Sequence, residues 1–162
     1  MCEDILIFTT GGTIDKIYFD AKSDFQVGEP QIAEILKTVN IAATYRVEML
    51  FRKDSLDLTD ADRAYIAERV RQTLCQHVLI THGTDTMVQT AQTLCDIPDK
   101  TIVLVGSLTP ARFKHTDAEF NIGFAIAAVQ ALRPGVYLAM NGRIFDPQKV
   151  RKNREMNRFE EV

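Results

Sequence analysis

Apolar runs of strand length alternate with segments of helical period along this chain of 162 residues. Five segments predict strands: residues 5–8, 77–80, 101–105 and 136–140 are short and largely apolar, and residues 45–51 alternate between polar and apolar positions. Between them, apolar positions recur every three or four residues within 32–39, 66–74, 87–95 and 120–131. Strands that alternate with helices predict an α/β fold of three layers, α/β/α, with a largely parallel sheet of about five or more strands.

Two helices carry start signals. Thr59 followed by Asp62 predicts the first turn of the second helix, and Thr116 with Glu119 forms a predicted capping box before the fourth.

Two segments fit neither the strand pattern nor the helical period. Residues 11–29 show turn signals and no clear helix, and so long a connection in a compact domain predicts a lid or binding loop. The charged tail from Gln148 onward fits either of two interpretations, a solvated terminal segment or a functional one.

Composition narrows the class of protein. The length predicts one domain over 1–162, and 19 basic against 22 acidic residues exclude a nucleic-acid binder held by bulk charge. No apolar run approaches the roughly 18 residues of a membrane span, and the acidic start does not resemble a signal peptide, so we expect a cytoplasmic protein with no membrane partner. The three cysteines are scattered and odd in number, which predicts reduced thiols and no metal site.

Candidate chemistry lies directly after two predicted strands. Residues 9–15 read TTGGTID and residues 81–86 read THGTDT, so hydroxyls stand beside glycines in both segments. Ligands of open parallel sheets bind at the carboxyl ends of strands, and glycine lets backbone N–H groups approach a ligand closely. Taken singly, the first cluster also fits a tight turn and the second a helix N-cap. A third loop, residues 106–110, follows the fourth strand.

The sequence lacks the motifs of several common classes of binding and catalytic site. Neither phosphate-loop pattern is present, nor is the G-x-S-x-G of nucleophile elbows, and the three histidines lack ligand spacing. His82 reads better as a hydrogen-bonded scaffold residue than as a catalytic one. A threonine hydroxyl remains as a nucleophile, which needs a base and an oxyanion hole.

The two clusters carry a family resemblance. Residues 10–14, TGGTI, resemble the first signature of bacterial-type L-asparaginases, and residues 81–87, THGTDTM, match the second. Residues 53–59, 103–110 and 140–152 resemble further segments of that family. The resemblance covers nearly the whole chain and corresponds to the amino-terminal, Rossmann-like domain only. It implies hydrolysis of L-asparagine to L-aspartate and ammonia through an acyl-enzyme, with minor glutaminase activity open and no cofactor or metal.

The resemblance also implies roles for single residues. Thr13 is the expected nucleophile, and Lys152 the base that activates Thr84 or its water. Asp85 belongs to the same catalytic cluster and also holds the substrate α-ammonium. The remaining expected substrate contacts are Ser55, for the α-carboxylate, with Gly12, Gly83 and Ser107. Tyr18 and Phe25 fall in the expected lid.

Two positions depart from the family pattern. Phe25 stands where the family has its lid tyrosine, so Tyr18 is the candidate to supply a hydroxyl, and Asp15 stands where a small residue is usual. Phe25, together with the lack of the family's second domain in this sequence, keeps a second hypothesis open, namely a module that binds an amino acid or amide without turning it over. A site that lacks the wall of a second domain predicts a homo-oligomer, either a dimer or a dimer of dimers.

Overall fold

A computed structural model describes residues 2–19 and 24–162 of the chain. Its elements alternate between strands and helices much as the sequence predicts. The strands are β1 (Ile5–Gly11), β2 (Lys16–Phe19), β3 (Asp24–Val27), β4 (Tyr45–Lys53), β5 (His77–Thr81), β6 (Thr101–Val105), β7 (Gly135–Met140), β8 (Arg143–Phe145), β9 (Val150–Asn153) and β10 (Arg158–Glu161). The α-helices are α1 (Ile32–Thr38), α2 (Asp60–Gln72), α3 (Met87–Thr93) and α4 (Ala118–Ala131).

A six-stranded sheet forms the centre of the molecule, in the order β4-β1-β5-β6-β7-β8. The first five strands are parallel, and β8 runs antiparallel to β7. Every residue of β1 and of β6 is buried, because both faces of these strands are covered, and their sequences accordingly contain the apolar runs 5–8 and 102–105. The predicted α/β fold with a largely parallel sheet is confirmed.

The helix ends follow the local hydrogen bonds. Thr59 and Asp62 form the capping box that starts α2, as predicted. That helix ends at Gln72, so the expectation that Leu74 belongs to its apolar face is wrong, and this side chain is 91% exposed. No helix within the described ranges is long and apolar enough to cross a membrane.

The capping box predicted before α4 is also wrong. The N-cap of this helix is Asp117, and the Thr116 hydroxyl accepts a hydrogen bond from the backbone of Ala118. The Asp117 carboxylate bonds instead to the backbone N–H groups of Leu108 and Thr109. The start of α4 therefore organises the loop that follows β6 rather than capping itself.

Each of the two segments without a clear pattern, residues 11–29 and the tail from Gln148, contains a hairpin. Strands β2 and β3 pair antiparallel within residues 11–29, after a single 3₁₀ turn at Thr13–Asp15. No α-helix occurs in the described part of this segment, in agreement with the sequence; the lid or binding loop stays a prediction, and residues 20–23 lie outside the described part. Strands β9 and β10 form the second hairpin, which buries Val150 and Phe159, so the tail is not simply a solvated terminal segment.

A disulfide joins Cys2 and Cys75, with their Cα atoms 5.6 Å apart. The expectation of three reduced thiols is therefore wrong for this pair, while Cys95 is free and exposed. The cause is strand register, because Leu6 of β1 pairs with Val78 of β5 and so places the residues before the two strands side by side.

Candidate active site

The order of the sheet reverses between β1 and β5. The chain leaves β1 to form β4 on one side, whereas β5, β6 and β7 are added on the other side. In open α/β sheets, ligands bind beyond the carboxyl ends of the strands at such a reversal. The turns that follow β1 and β5 contain residues 12–15 and 82–86, which are the two clusters singled out from the sequence.

The turn after β1 depends on glycine. Gly11 and Gly12 have φ angles of 101° and 92°, which L side chains rarely adopt. A Cβ on Gly12 would lie 2.5 Å from the Cα of Gly83, so the two turns are in direct backbone contact. The Thr10 hydroxyl donates a 2.8 Å hydrogen bond to the carbonyl of Thr81 and fixes the ends of β1 and β5 together. Thr13 follows directly, at the start of the 3₁₀ turn.

Ser55 joins the same group from a third strand end. It begins a 3₁₀ turn after β4, which Asp54 caps by accepting a 3.0 Å hydrogen bond from the backbone of Leu56. A Cβ on Gly83 would meet the Ser55 side chain at 2.6 Å, so these two residues touch. The hydroxyl of Thr86 donates a 2.7 Å bond to the Ser55 carbonyl. The structure therefore brings together Gly12, Gly83 and Ser55 as the sequence predicts.

Lys152 reaches this group from the hairpin β9–β10. Its Nζ donates hydrogen bonds of 2.8 Å to Thr84 Oγ1 and 2.9 Å to Asp85 Oδ1. Thr84 is 5% exposed and the lysine side chain 16%, so the three groups interact largely out of solvent. Charge-assisted bonds of this length are among the stronger hydrogen bonds of proteins. In the sequence, Lys152 follows Thr84 by 68 positions and Asp85 by 67, yet the three side chains form one polar cluster.

Two further ion pairs border the site, and the sequence analysis missed both. Arg154 Nη2 lies 3.5 Å from Asp85 Oδ1, and Lys16 of the first hairpin lies 3.0 Å from Asp54. Burial raises the pKa of the Asp54 carboxyl, but its backbone bond and Lys16 outweigh this and hold the pKa below the ordinary value. Neither pair has a local motif, because each joins a hairpin to a distant turn.

The Ser107 side chain lies near the site, but its hydroxyl is bonded within its own loop. Its loop is near the site, since a Cβ on Gly106 would collide with the carbonyl of His82. Its hydroxyl, however, donates a 2.6 Å bond to the carbonyl of Thr109 within its own loop. In this conformation the Ser107 side chain orders the loop after β6.

Tyr18 and Phe25 lie directly opposite each other in the hairpin β2–β3. Residues paired across two strands share a face, and the two rings pack edge to face with centroids 5.4 Å apart. The Phe25 ring also packs at 5.9 Å from Phe113, in the loop after β6. Tyr18 therefore presents a hydroxyl on the same face as the phenylalanine that lacks one.

His82 is a scaffold residue, as the sequence analysis favoured. It is fully buried, with one ring nitrogen 2.7 Å from the Gly83 carbonyl and the other 2.8 Å from Thr90 Oγ1. Burial lowers its pKa to about 4, so the ring is neutral at physiological pH. A neutral imidazole has one donor and one acceptor, which matches these two partners and fixes the turn at Gly83.

A possible metal cluster occurs far from this site. Among the described residues, the ligand atoms of Cys2, Glu3 and Cys75 lie within 4.8 Å of one another. The two sulfurs are joined in the disulfide, however, and thiolates are the form that binds metals. This group lies before the amino ends of β1 and β5, at the opposite edge of the sheet from Thr13 and Thr84.

The arrangement suits acyl transfer. Two threonine-bearing turns are in direct contact through Gly12 and Gly83, and the hydroxyl of Thr84 is bonded to a lysine. A hydroxyl nucleophile, a base and backbone donors for an oxyanion are the parts that hydrolysis of an amide requires. Fold and site together define an α/β protein with two contacting threonine-bearing turns at the point where the order of its sheet reverses.

The chain belongs to the asparaginase family. The family model described as "Asparaginase, N-terminal" matches residues 4–160. The chain is 31% identical to L-asparaginase 2 of Escherichia coli (strain K12), over 92% of this chain and 46% of that protein. It is 30% identical to the glutaminase-asparaginase of Acinetobacter glutaminasificans, over 92% of this chain and 49% of the relative. The chain thus spans about half the length of these relatives.

Solved structures show the same similarity. The thermostable L-asparaginase from Thermococcus kodakarensis superposes with a TM-score of 0.85 at 25% identity, covering 98% of this chain and 51% of that one. The probable cytoplasmic L-asparaginase from Campylobacter jejuni superposes with a TM-score of 0.76 at 31% identity, covering 97% and 51%. The fold and family inferred from the two signatures are confirmed.

Proposed function

We propose that this chain is a catalytic domain that hydrolyses L-asparagine to L-aspartate and ammonia. The observation that carries the proposal is the bonding of Lys152 to both Thr84 and Asp85, next to the turn that bears Thr13. Relatives named as L-asparaginases and glutaminase-asparaginases support the reaction class.

In the proposed first step, Thr13 Oγ1 attacks the carbon of the side-chain amide and gives up its proton, which is passed on to the leaving nitrogen. Backbone N–H groups of the two glycine turns stabilise the oxyanion that forms, because they are fixed before the reaction begins. The C–N bond then breaks, the nitrogen takes up a proton and leaves as ammonia, and an ester with Thr13 remains.

In the second step, water hydrolyses the ester and releases L-aspartate. Lys152 serves as the base that activates Thr84 or the water bonded to it, and it must give up a proton to do so. Ser55 binds the α-carboxylate of the substrate and Asp85 its α-ammonium. Asp85 also holds Lys152 in place, so its loss affects both binding and the base.

The hairpin β2–β3 is the proposed lid. It borders a cleft of about 630 Å³, which Lys16, Phe25, Asp54 and Leu56 help to line. Closing a lid excludes water and aligns the reacting groups. We propose that the Tyr18 hydroxyl supplies the proton-passing group that Phe25 lacks, since the two rings share a face of the hairpin.

Glutamine is the proposed minor substrate. One methylene changes binding in a pocket by only about 1–3 kcal/mol. The two amides are therefore expected to differ in rate rather than in mechanism, and Thr13→Ala is expected to abolish both activities together.

The test is release of ammonia from L-asparagine by the parent, Thr13→Ala and Lys152→Ala. Thr93→Ala and Lys149→Ala are matched controls, because both side chains are exposed and lie outside the site. We expect release by the parent and both controls, and loss in the two site variants. No release by a folded parent whose melting temperature asparagine still raises would contradict hydrolysis and favour the amide-binding module.

The proposed assembly is a homodimer or a dimer of dimers. Sedimentation of the active protein tests it, and a monomer with full activity at all working concentrations would contradict it. The cytoplasmic location also stays a prediction. Because disulfides are rare in the cytosol, the redox state of Cys2 and Cys75 in cells bears on it directly.

A further inference from the structure

Asp15 is a buried carboxyl group two residues after the proposed nucleophile. It ends the 3₁₀ turn that begins at Thr13, and only 2% of the residue is exposed. Carboxylates are seldom buried to this extent without a partner. The proposed reaction leaves this group without a role.

Three hydrogen bonds connect Asp15 to both sides of the hairpin β2–β3. Its N–H donates at 3.1 Å to the carbonyl of Gly12, next to Thr13. Its carbonyl accepts from the N–H of Gly28 at 2.7 Å, just after β3 ends. Its Oδ1 accepts from the N–H of Gln31 at 2.9 Å, at the N-cap of α1. One residue therefore joins the turn before the hairpin to the chain that leaves it.

The other carboxyl oxygen is left unsatisfied. Asp15 Oδ2 is buried and has no hydrogen-bond partner among the described residues. The charged groups that face it are Arg112 from the loop after β6, Arg52 of β4 and Glu29, and Glu29 is itself ion-paired with Arg52. Burial outweighs the Gln31 bond and the two arginines and raises the pKa of Asp15 to about 7. The neutral acid is thus the form that suits the structure described, in which Asp15 is buried at the base of the hairpin.

We propose that Asp15 is a positioning residue: its backbone joins the Thr13 turn to Gly28, and its buried carboxyl group holds the Gln31 N–H, so that the chain leaving the hairpin β2–β3 stays against that turn. This inference rests on the proposed function for the role of Thr13 and of the hairpin as a lid. The physical coupling between the turn and the hairpin is independent of any substrate.

The coupling has a defined pH dependence. When the hairpin base opens, Asp15 meets water and its pKa returns toward about 3.9. Opening therefore releases a proton between about pH 4 and 7, and the opening equilibrium rises by up to about tenfold per pH unit across that window. Above pH 7 both states are ionised and the equilibrium levels off. An uncharged side chain of the same shape removes this dependence.

Hydrogen exchange of the substrate-free protein tests the coupling without relying on activity. The readout is the protection of the Gly28 and Gln31 amides, corrected for intrinsic exchange, from pH 4.5 to 8.5. In the parent we expect protection to fall up to pH 7 and then level off, and in Asp15→Asn to stay flat. The control is Asp54→Asn, which breaks the neighbouring pair with Lys16; because the pKa of Asp54 is lowered, it should leave the shape of the parent profile unchanged.

Kinetics separate positioning from a merely structural role. Asp15→Ala removes the acceptor for Gln31, so we expect kcat to fall about tenfold at every pH with little change in KM. Asp15→Asn keeps the acceptor, so it should restore kcat and exceed the parent above pH 7. A parent whose Gly28 and Gln31 protection does not change with pH would overturn the proposal, even if a variant fails to fold. Failure of the proposed function would show instead as absent ammonia release with the exchange profile intact.

Discussion

The two hairpins outside the central sheet differ in how they are attached. The hairpin β9–β10 buries Val150 and Phe159, and the Phe159 ring lies 6.4 Å from that of Phe145 in β8. The hairpin β2–β3 instead leaves Tyr18 and Phe25 about half exposed and is joined to the protein at its base through Asp15. One hairpin is built into the core, whereas the other rests on the surface.

This difference matches what each hairpin carries. A base must be held within a few tenths of an ångström of its partners, and Lys152, the proposed base, projects from the anchored hairpin. A lid must open to admit substrate, and elements that move have few buried apolar contacts. The contrast teaches that the side chains a hairpin buries decide whether it is firmly anchored, as the proposed support is, or held mainly at its base, as the proposed lid is.

The largest expected effect separates the two hairpins by their lysines. Lys152→Met should lower kcat by about 10²–10⁴-fold, since a positioned general base contributes that much. Lys16→Met on the other hairpin removes only the half-buried pair with Asp54 and should lower kcat by a few-fold. Steady-state ammonia release measures both. Equal losses in the two variants would contradict the division of roles.

The second prediction compares one aromatic ring from each hairpin. Phe159→Ala leaves a cavity in the core and should lower the free energy of unfolding by about 3–5 kcal/mol. Phe25→Ala removes a half-exposed ring and should cost under about 1 kcal/mol. Urea denaturation gives both values. A larger loss for Phe25→Ala would show that the first hairpin is part of the core.

These two hairpins also mark where sequence prediction stops. Central strands such as β1 and β6 are predictable, because burial on both faces requires continuous apolar runs. A hairpin of four-residue strands outside the central sheet has no such requirement. Residues 16–19 and 150–153 therefore carry neither a long run nor a clear alternation.

The candidate site likewise has features that the sequence predicts and features that only the structure shows. The glycine and threonine clusters are visible because consecutive residues form each turn. The pair of Arg154 with Asp85 and the disulfide of Cys2 with Cys75 depend on strand register and hairpin placement, which no local pattern encodes. Asp15 is visible as an unusual residue, but its bond to Gln31 is not.

The third prediction concerns the base of the surface hairpin. The pKa of Asp15 is raised by burial to about 7 in the folded protein, against about 3.9 when unfolded. The parent should therefore lose stability relative to Asp15→Asn as pH rises from about 4 to about 7, with a constant difference above. Denaturation at pH 4 and pH 8 should show Asp15→Asn gaining about 2–4 kcal/mol over the parent between them. A difference that does not change with pH would contradict a buried neutral acid.

The smallest expected effect tests whether Tyr18 replaces the missing lid hydroxyl. Phe25→Tyr should change kcat by less than about tenfold, because a hydroxyl is already present on the same face. Tyr18→Phe should lower kcat by about 10²-fold, and Phe25→Tyr should restore part of the loss in the double variant. Full activity of Tyr18→Phe alone would show that neither ring passes a proton.

The most direct test of the account is to identify the covalent intermediate. The parent is mixed with L-asparagine, quenched in acid during turnover, digested and examined by mass spectrometry. We expect an aspartyl ester on the peptide that contains Thr13, absent from Thr13→Ala and present in the Thr93→Ala control. Ammonia release with the ester on Thr84 instead, or with no ester on either residue, would contradict Thr13 as the nucleophile and the roles assigned to the two turns.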